Sequence, residues 1–383
     1  MVLFLHNRYR TTGGEERAVE ELAWVVRERL GEPVQVLARD SGDLDRRGAA
    51  LALLRGGSDP DAVADAVRTS GARVVHAHNV LPTFGWRALA AARAAGARVV
   101  LHLHQYRLVC AIGVCYTRGA DCTRCHGRDT APGVRLNCRG NVAEAVTYGA
   151  SLALWQRQLV RQADAFLVPS AFARERLRAL GAPLPWERVH VLAPPLRALD
   201  VDPPPRAAEG SDASGEDRYA LVVSRLAPEK GVDVAIDACR AAGMGLVVAG
   251  DGPERSRLEA RAAAAGGERS TIRFAGRVDD SELARLRAGA AIALVPSRAA
   301  ETFGLAAAEA MAAGVPVAAS RVGALPELVD ERGLVPPGDA TALAAAIGRL
   351  AGDRDVAARG RERVAALCAP RVVAGALAKV YDG

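Results

Sequence analysis

Two glutamates in the last third of the chain are spaced so that one ligand could contact both. Glu301 precedes an alanine-rich run with helical character and Glu309 lies within that run; the eight steps between them span about 12 Å at the helical rise. The N-terminus of such a helix directs N–H groups at an anion. A nucleoside-diphosphate sugar fits this spacing, with charge in the middle and hydroxyls at both ends. The alternative is a helix with one glutamate before it and another on its exposed face.

The loop that follows an apolar run at 220–224 supplies two cations. Arg225 can bind phosphate oxygens through two parallel hydrogen bonds, and Lys230 adds a point charge at the start of the next helical pattern. The chain has only two lysines against 48 arginines, so a lysine at this position is unusual. The pair predicts a diphosphate site, and a solvated basic loop is the alternative.

Gly13 and Gly14 follow the first apolar run and precede a helical pattern. Glycines at such a turn let backbone N–H groups approach a phosphate or a sugar. The spacing is not Gly-x-Gly-x-x-Gly, so a dinucleotide fold in the strict sense is not indicated. A tight strand-to-helix turn followed by Glu15 is the structural alternative.

These residues need a scaffold in which several strands end at one edge. Short apolar runs alternate with alanine-rich helical patterns in both halves of the chain, which is typical of β-α repeats and a parallel sheet. The alternation stops at 199–218, where three consecutive prolines and other breakers predict a linker. We predict an α/β protein with two Rossmann-like, doubly wound domains, at 1–198 and 219–369, facing a central cleft.

Composition limits the class of protein. Half of the 383 residues are apolar and a quarter are charged, which is the balance of a globular protein and not of a disordered one. No run reaches the roughly 18 apolar residues of a membrane span, and the apolar run at 1–5 is too short for a signal peptide. We therefore expect a cytoplasmic protein. The net charge of +6 is weak evidence for a nucleic-acid partner.

Five of the seven cysteines lie within 29 positions, at Cys110, Cys115, Cys122, Cys125 and Cys138. Their number and placement do not fit a secreted disulfide framework. The Cys-x2-Cys pair with one cysteine before it and one after it predicts a tetrahedral structural zinc site, with ligands Cys110, Cys122, Cys125 and Cys138. Cys115 and His126 are alternative ligands; reduced thiols that hold a loop, or redox chemistry, are the alternatives to metal.

The cysteines lie in a basic segment. Residues 98–140 carry seven arginines against two aspartates, which accounts for most of the excess positive charge of the chain. The polar, glycine-rich part at about 108–140 indicates an insertion in the first domain. We expect it to favour an anionic or lipid-linked acceptor and peripheral contact with a membrane; a solvated arginine-rich loop is the alternative.

Five motifs, taken in order, resemble glycosyltransferase family 4. They are Gly13-Gly14-Glu15, the loop Arg225 to Lys230, Gly250-Asp251-Gly252-Pro253, Phe274-Ala275-Gly276-Arg277, and Glu301-x7-Glu309. The resemblance runs from Val2 to about Arg332. It implies the GT-B fold, a retaining enzyme with a nucleotide-sugar donor, and a C-terminal helix at 370–383 that joins the first domain.

The resemblance also implies a way to neutralise the leaving diphosphate. Arg225 and Lys230 would supply charge, and the backbone N–H groups of Phe303, Gly304 and Leu305 would assist. Two cations and a helix dipole can stabilise this charge without a divalent metal. We therefore expect no catalytic cofactor and a donor linked to UDP or GDP.

Other roles follow from the same resemblance. Glu309 would bind the ribose hydroxyls, Glu301 would face the donor sugar, and Gly13 and Gly14 would approach the donor. The family also has a histidine at a strand end of the first domain, which we match to His104.

The histidine assignment leaves a choice. His102 is two residues earlier and shares the same strand face as His104. Gln105 departs from the family pattern of a histidine followed by asparagine. His76 and His78 raise the same question, although histidines of the core or of a cleft rim explain them better.

We predict a retaining, metal-independent glycosyltransferase that acts in bacterial polysaccharide, glycolipid or glycosylated-metabolite biosynthesis. A sugar-nucleotide epimerase of the same fold is one alternative, since it would share the donor motifs but need no acceptor surface. The other is a zinc-dependent module that binds nucleic acid. The few aromatic residues in the basic segment disfavour stacking on bases, so no nucleic-acid partner is expected.

Overall fold

The computed structural model describes residues 1–8, 14–40, 42–200, 218–264 and 271–383. Gly13 and most of the predicted linker at 199–218 lie outside this part of the chain. The described residues divide into two compact units. The first holds Met1–Thr117, Cys122–Pro195 and Pro370–Gly383, and the second holds Arg118–Asp121 and Leu196–Ala369.

The strands of the first half build one parallel sheet and one small hairpin. Their bounds are β1 (Val2–Arg8), β2 (Val34–Asp40), β3 (Val74–Ala77), β4 (Arg98–His102), β5 (Tyr116–Thr117), β6 (Ala120–Asp121), β7 (Ala165–Val168) and β8 (Val189–Val191). The six-stranded sheet has the order β2-β1-β3-β4-β7-β8, and β5 pairs with β6. The central strands are continuous apolar runs because helices cover both faces of a parallel sheet.

Seven helices connect these strands in the described residues. They are α1 (Gly14–Arg29), α2 (Arg46–Arg55), α3 (Pro60–Ser70), α4 (Gly85–Ala94), α5 (Ala131–Arg135), α6 (Val142–Arg161) and α7 (Ala171–Ala179). Side-chain caps fix several of their starts. Asn141 accepts a hydrogen bond from the N–H of Glu144 at α6, and Ser170 accepts one from the N–H of Ala173 at α7.

The second unit repeats the architecture. Its strands are β9 (Tyr219–Val223), β10 (Gly245–Ala249), β11 (Ile272–Gly276), β12 (Ala290–Val295), β13 (Val317–Ser320) and β14 (Leu334–Val335). They form a parallel sheet in the order β11-β10-β9-β12-β13-β14. The later helices are α8 (Val232–Ala241), α9 (Arg255–Ala264), α10 (Asp280–Gly289), α11 (Leu305–Ala312), α12 (Leu325–Leu328), α13 (Ala340–Leu350), α14 (Arg354–Cys368) and α15 (Pro370–Asp382).

The two doubly wound parallel sheets confirm the predicted fold class. In each sheet the strand order reverses next to the first strand, between β1 and β3 and between β9 and β12. Loops that follow strands at such a reversal leave a crevice where ligands bind in open α/β sheets. The loops that carry Lys230 and Glu301 follow β9 and β12. Both residues therefore lie at the point of the second sheet where the strand order reverses.

The C-terminal helix α15 belongs to the first unit. Val373, Leu377 and Tyr381 are buried in a core cluster that also contains Phe4 of β1. The guanidinium of Arg98 in β4 donates to the carbonyl oxygen of Val380 at 2.9 Å. The helix therefore completes the apolar core on one face of the first sheet.

One stretch of the described residues, Arg354–Asp382, is long and apolar enough to span a membrane by length and composition alone. Half of its most apolar window is buried inside the fold. It comprises two helices, α14 and α15, which belong to different units. Its apolar side chains are those of core helices, so this stretch is weak evidence for a membrane span.

The cysteine-rich segment between β4 and α6 is tied to the first unit by polar contacts. Gln156 of α6 donates to the carbonyl oxygens of Leu108 and Gly127 at 2.8 and 2.9 Å. The hydroxyl of Tyr148 donates to the carbonyl oxygen of Arg107 at 2.6 Å. Arg139 donates to the carbonyl oxygen of Ala111 at 3.0 Å. Of the seven arginines counted in this region, Arg98, Arg128 and Arg139 therefore bind backbone carbonyl oxygens of the fold.

Candidate functional site

In the second unit, the loops after β9 and β12 are held together by backbone and charge contacts. The N–H of Arg298 donates to the carbonyl oxygen of Glu229 at 2.8 Å. The Arg298 guanidinium binds both carboxylate oxygens of Asp233, each at 2.8 Å. Such a two-bond pair fixes geometry as well as charge. The two loops therefore form one rigid surface at the carboxyl edge of the sheet.

Gly231 permits this close packing. Its φ is +63°, and a Cβ at this position would lie 2.1 Å from the carbonyl oxygen of Pro296. Neither the backbone conformation nor the available space accepts a larger residue without strain. The glycine after Lys230 thus lets the lysine loop lie against the end of β12.

Gly231→Ala is expected to lower the free energy of unfolding by about 1–3 kcal/mol. Gly243→Ala is the matched control, because Gly243 has a φ of +62° and nothing within 4 Å of a Cβ. Urea unfolding of both variants separates the cost of the left-handed conformation from the cost of the clash. Equal losses in the two variants would show that the contact with Pro296 is unimportant.

Lys230 and Glu301 meet on this surface. The Lys230 ammonium donates to Glu301 Oε1 at 2.7 Å, and the Ser297 hydroxyl donates to the same oxygen at 2.6 Å. Burial alone would raise the pKa of Glu301. The charge of Lys230 and the two hydrogen bonds have the larger effect, and they hold the pKa of this carboxyl below its ordinary value. Glu301 is therefore an ionised carboxylate with a fixed orientation.

Arg225 lies in the same loop and pairs with Glu229, four residues later. Its side chain is half exposed, so it remains accessible to a ligand. The glycine motif that follows β10 supports this loop, since a Cβ at Gly250 would lie 1.9 Å from the carbonyl oxygen of Ser224. The N–H of Leu226 also donates to the carbonyl oxygen of Asp251 at 2.9 Å.

Helix α11 begins at Leu305, four residues after Glu301. Gly304 is its N-terminal cap, with a φ of +99°, and Leu305 is the first helical residue. A Cβ at Gly304 would lie 2.6 Å from Leu325 of α12, so the glycine allows the helix start to pack closely. The first N–H groups of a helix have no partner within the helix. Phe303, Gly304 and Leu305 lie at this helix start, and the anion site there stays a prediction.

Glu309 is buried and forms an ion pair with Arg287 of α10. The alternative interpretation of the sequence, in which Glu309 lies on the exposed face of its helix, is therefore wrong. Sequence reasoning missed Arg287, although its place four residues after the buried Leu283 puts an arginine on the apolar stripe of α10. The pair fixes the position of the Glu309 carboxylate in a place that water reaches poorly.

In the first unit, the edge formed by β1, β3 and β4 is rich in histidine. His104 is partly exposed, and its Nε2 lies 2.9 Å from Nδ1 of His78. His102 is buried, and its Nδ1 lies 3.3 Å from Nε2 of His76. His102 and His104 stack with ring centroids 4.0 Å apart. Of the two, His104 is the more exposed to solvent.

These histidines are neutral at physiological pH. Burial lowers the pKa of His76 to about 3 and that of His6 to about 4. Burial, and then the neighbouring histidines, hold the pKa of His78, His102 and His104 well below the ordinary value. A neutral imidazole can both donate and accept a hydrogen bond, and the partner of each nitrogen decides the tautomer.

Gly14 begins α1, and Glu15 contacts the loop after β4. The Gln105 amide donates to Glu15 Oε2 at 3.1 Å and its oxygen accepts from Arg107 at 3.2 Å. Gln105, which departs from the family pattern, is therefore held by hydrogen bonds with the side chains of Glu15 and Arg107. Gln105 connects the loop after the fourth strand to the start of the first helix, next to His104.

All five clustered cysteines line one small cavity in the first unit. Hydrogen bonding from Cys115, and then from backbone groups, lowers the pKa of the Cys110 thiol to about 6 although burial raises it. No cysteine trio in the described residues has its ligand atoms all within 4.8 Å of one another, whereas His76, His78 and His102 do. The zinc ligand set Cys110, Cys122, Cys125 and Cys138 remains a prediction.

Comparison with known families covers most of the chain. Residues 9–195 match the Glycosyl transferase 4-like domain, and residues 206–365 match Glycosyl transferases group 1. A GDP-mannose-dependent alpha-(1-6)-phosphatidylinositol dimannoside mannosyltransferase of Mycobacterium tuberculosis is 36% identical over 177 residues, which are 43% of this chain and 43% of that enzyme. The chain spans half or less of the length of the curated relatives that it matches in this way.

Solved structures share the fold over the whole length. Sucrose-phosphate synthase from Thermosynechococcus elongatus has a TM-score of 0.71 at 20% identity, covering 100% of this chain and 98% of that one. HepE of Anabaena in complex with UDP has a TM-score of 0.65 at 20% identity, covering 100% and 99%. With both halves matched by glycosyltransferase models and both sheets of the GT-B type, the chain belongs to glycosyltransferase family 4.

Proposed function

We propose that the protein is a retaining glycosyltransferase that moves a sugar from a nucleoside-diphosphate sugar to an acceptor hydroxyl. The observation that carries the proposal is the contact of Lys230 and Ser297 with Glu301 at the start of α11. It joins a cation, an oriented carboxylate and a helix N-terminus within one small surface. Anionic and hydroxyl groups of one ligand can be bound there together.

In this proposal the diphosphate binds between the two loops of the second unit. Arg225 and Lys230 neutralise its charge, and the N–H groups of Phe303, Gly304 and Leu305 donate to its oxygens. Both cations have carboxylate partners in the structure, which keep them oriented before the ligand arrives. A site that is charged and oriented in advance stabilises a leaving group without reorganisation.

Two carboxylates bind the ends of the donor. Glu309 accepts hydrogen bonds from the ribose hydroxyls, and its pairing with Arg287 orients it for that role. Glu301 accepts hydrogen bonds from the sugar hydroxyls. Because Lys230 and Ser297 already hold Glu301, we assign it a binding and orienting role and not that of a covalent nucleophile. The family resemblance also assigns Gly13 and Gly14 to donor binding.

The chemistry then needs no side chain that attacks the sugar. The bond between the anomeric carbon and the diphosphate breaks, an oxocarbenium-like sugar forms, and the acceptor hydroxyl attacks from the face of the leaving group. A departing phosphate oxygen accepts the proton of that hydroxyl. His104, neutral and accessible, binds a sugar hydroxyl next to the reacting carbon. No catalytic divalent metal is part of this proposal.

The donor site is tested by titrating UDP and GDP calorimetrically into the wild type and into Arg225→Ala/Lys230→Ala. Both bases are needed because the mycobacterial relative is named for GDP-mannose, whereas HepE was solved with UDP. One nucleotide is expected to bind, and the double variant to bind it about 100-fold more weakly or worse, since two charged hydrogen-bond donors are lost.

Lys379→Ala is the matched control, because Lys379 is the only other lysine and is exposed on α15. It should bind the nucleotide like the wild type. Failure of the wild type to bind either nucleotide, or equal binding by the double variant, would contradict the proposed donor site.

We propose an anionic or lipid-linked acceptor reached at a membrane surface. Helices α2 and α6 lie side by side, with the Trp155 indole donating to the carbonyl oxygen of Leu54 at 3.0 Å. They carry five exposed apolar side chains, namely Leu51, Leu54, Val142, Val146 and Leu154. The same helices carry five exposed arginines, namely Arg46, Arg47, Arg55, Arg157 and Arg161. Apolar side chains flanked by arginine favour the surface of an anionic bilayer.

Sedimentation with vesicles tests this surface. The wild type is expected to pellet with phosphatidylglycerol vesicles, and Leu54→Asp/Leu154→Asp to remain in the supernatant, because carboxylates oppose both apolar contact and anionic lipid. Leu367→Asp is the control, since Leu367 is also exposed but lies on α14 of the second unit. Pelleting of all three proteins alike would exclude this surface.

We also propose a reducing, cytoplasmic location and a structural zinc ion at Cys110, Cys122, Cys125 and Cys138. The support for the location is that all seven cysteines are free thiols. The support for zinc is the shared cavity of the clustered cysteines and the depressed pKa of the Cys110 thiol, because the thiolate is the form that binds metal.

A further inference from the structure

We propose that His76, His78 and His102 form a second metal site, one that binds a single transition-metal ion such as Zn²⁺ through three ring nitrogens. The site lies at the carboxyl edge of the first sheet, apart from the cysteines. The inference stands independently of the proposed glycosyl transfer. Its evidence is the spacing, the burial and the outer hydrogen bonds of the three rings.

The ring nitrogens are already at the spacing of metal ligands. One nitrogen from each of the three rings lies within 4.8 Å of the other two. His76 Nε2 and His102 Nδ1 are 3.3 Å apart. Two nitrogens bound tetrahedrally at about 2.0–2.1 Å from zinc are separated by about 3.3–3.4 Å. The His78 ring stacks on the His76 ring with centroids 4.3 Å apart, so it would have to turn towards the other two nitrogens to complete a three-nitrogen site.

The rings also have nitrogens that the fold leaves unsatisfied. Among the described residues, His78 Nε2 and His102 Nε2 have no hydrogen-bond partner, and both atoms are inaccessible to solvent. Both side chains are buried, with only 3% of each residue exposed. Buried polar atoms without a partner are rare in native proteins. A bound ion would supply the missing partner for Nε2 of His78, while His102 would bind the same ion through Nδ1, the atom that lies 3.3 Å from Nε2 of His76.

The other nitrogens are held as metal-binding histidines usually are. Nδ1 of His76 lies 2.7 Å from the hydroxyl of Tyr381, and Nδ1 of His78 lies 2.9 Å from Nε2 of His104. Histidine ligands commonly use one nitrogen for the metal while a neighbouring group binds the other and fixes the ring. This pattern leaves Nε2 of His76 and of His78 directed towards the metal.

The ligand set selects the kind of ion. Three imidazoles without a carboxylate suit Zn²⁺, Co²⁺, Ni²⁺ or Cu²⁺ and do not suit Mg²⁺ or Ca²⁺, which prefer oxygen. A site with three protein ligands keeps a fourth position for water or for another donor. Because His78 also contacts His104, an ion here would hold the His104 ring in one orientation.

The test uses the full chain with the four predicted zinc cysteines replaced, Cys110→Ser/Cys122→Ser/Cys125→Ser/Cys138→Ser, so that nitrogen and thiolate sites are separated. After chelation and removal of the chelator, Co²⁺ is titrated and followed by its visible absorption and by calorimetry. One equivalent is expected to bind with a tetrahedral or five-coordinate nitrogen spectrum. Absence of saturable binding in this variant, with its fold confirmed by circular dichroism, would overturn the proposal.

Variants identify the ligands. His102→Gln is expected to abolish saturable binding, whereas His126→Gln and His190→Gln, at two histidines away from the edge formed by β1, β3 and β4, are expected to leave it unchanged. Tyr381→Phe keeps the core volume and removes only the outer hydrogen bond, so it should weaken binding about 10–100-fold. Circular dichroism checks that each variant is folded, and if His102→Gln is not, Tyr381→Phe decides. Wild-type affinity in Tyr381→Phe, or loss of binding in His126→Gln, would refute this site.

Discussion

Lys230→Ala is expected to lower kcat for transfer, or for hydrolysis of the donor that binds, by about 10²–10³-fold. The ammonium is the only lysine charge on the surface between β9 and α11, and it lies 2.7 Å from Glu301. In the proposed reaction the diphosphate gains charge as the sugar bond breaks, so the loss falls on the transition state. A lower kcat with an unchanged fold is therefore the signature.

Two controls make this result interpretable. Lys379→Ala removes the other lysine of the chain and should retain wild-type kcat. Glu301→Gln keeps an oxygen that can accept from Lys230 and Ser297, and should reduce kcat less than Lys230→Ala does. Steady-state rates with circular dichroism of each variant provide the measurement. An unchanged kcat in Lys230→Ala would remove the cation from the mechanism.

The first unit is expected to lose stability steeply in acid. An unfolded histidine gains a proton near pH 6.5, whereas burial lowers the pKa of folded His6 to about 4 and of His76 to about 3. Below pH 6.5 the unfolded state therefore binds more protons, and the free energy of unfolding falls as the pH falls. The stabilisation is complete above pH 6.5 and is lost as the pH approaches the folded pKa values.

Each such histidine changes the free energy of unfolding by up to about 1.4 kcal/mol per pH unit in this range. His6, His76, His78, His102 and His104 all contribute in the same direction. Urea unfolding of the metal-free protein from pH 6.5 down to about pH 4 measures the slope. His6→Gln should reduce it by about one proton, and the exposed His126→Gln should not. A slope equal in wild type and His6→Gln would refute the prediction.

Sequence alone identified the parts of the candidate site that are local. Lys230 and Glu301 follow strands that are visible as apolar runs, and a parallel sheet brings the ends of neighbouring strands together. The two-residue period also placed His102 and His104 on one face, as their stacked rings confirm. Such inferences succeed because strand period and strand polarity are properties of short segments.

The other contacts described above could not be predicted, because they depend on strand register and on pairs of residues that are far apart in the sequence. The contact of His76 with Tyr381 joins residues 305 positions apart, and no periodicity in either segment predicts it. The pairing of β1 with β3 and of β3 with β4 sets which histidines become neighbours. Arg287 meets Glu309 across two helices in the same way. Three-dimensional packing, and not local preference, decides such contacts.

The position of α15 has a consequence for synthesis of the chain. The first unit is built from residues up to Pro195 and from the segment that begins at Pro370. Most of the second unit is synthesised between these two parts. Until α15 emerges from the ribosome, the apolar surface that Val373 and Leu377 cover on the first sheet stays open. The second unit can finish folding earlier, although it is made later. Released chains truncated after Ala369 should therefore carry a complete second unit and a first unit prone to aggregation and chaperone binding.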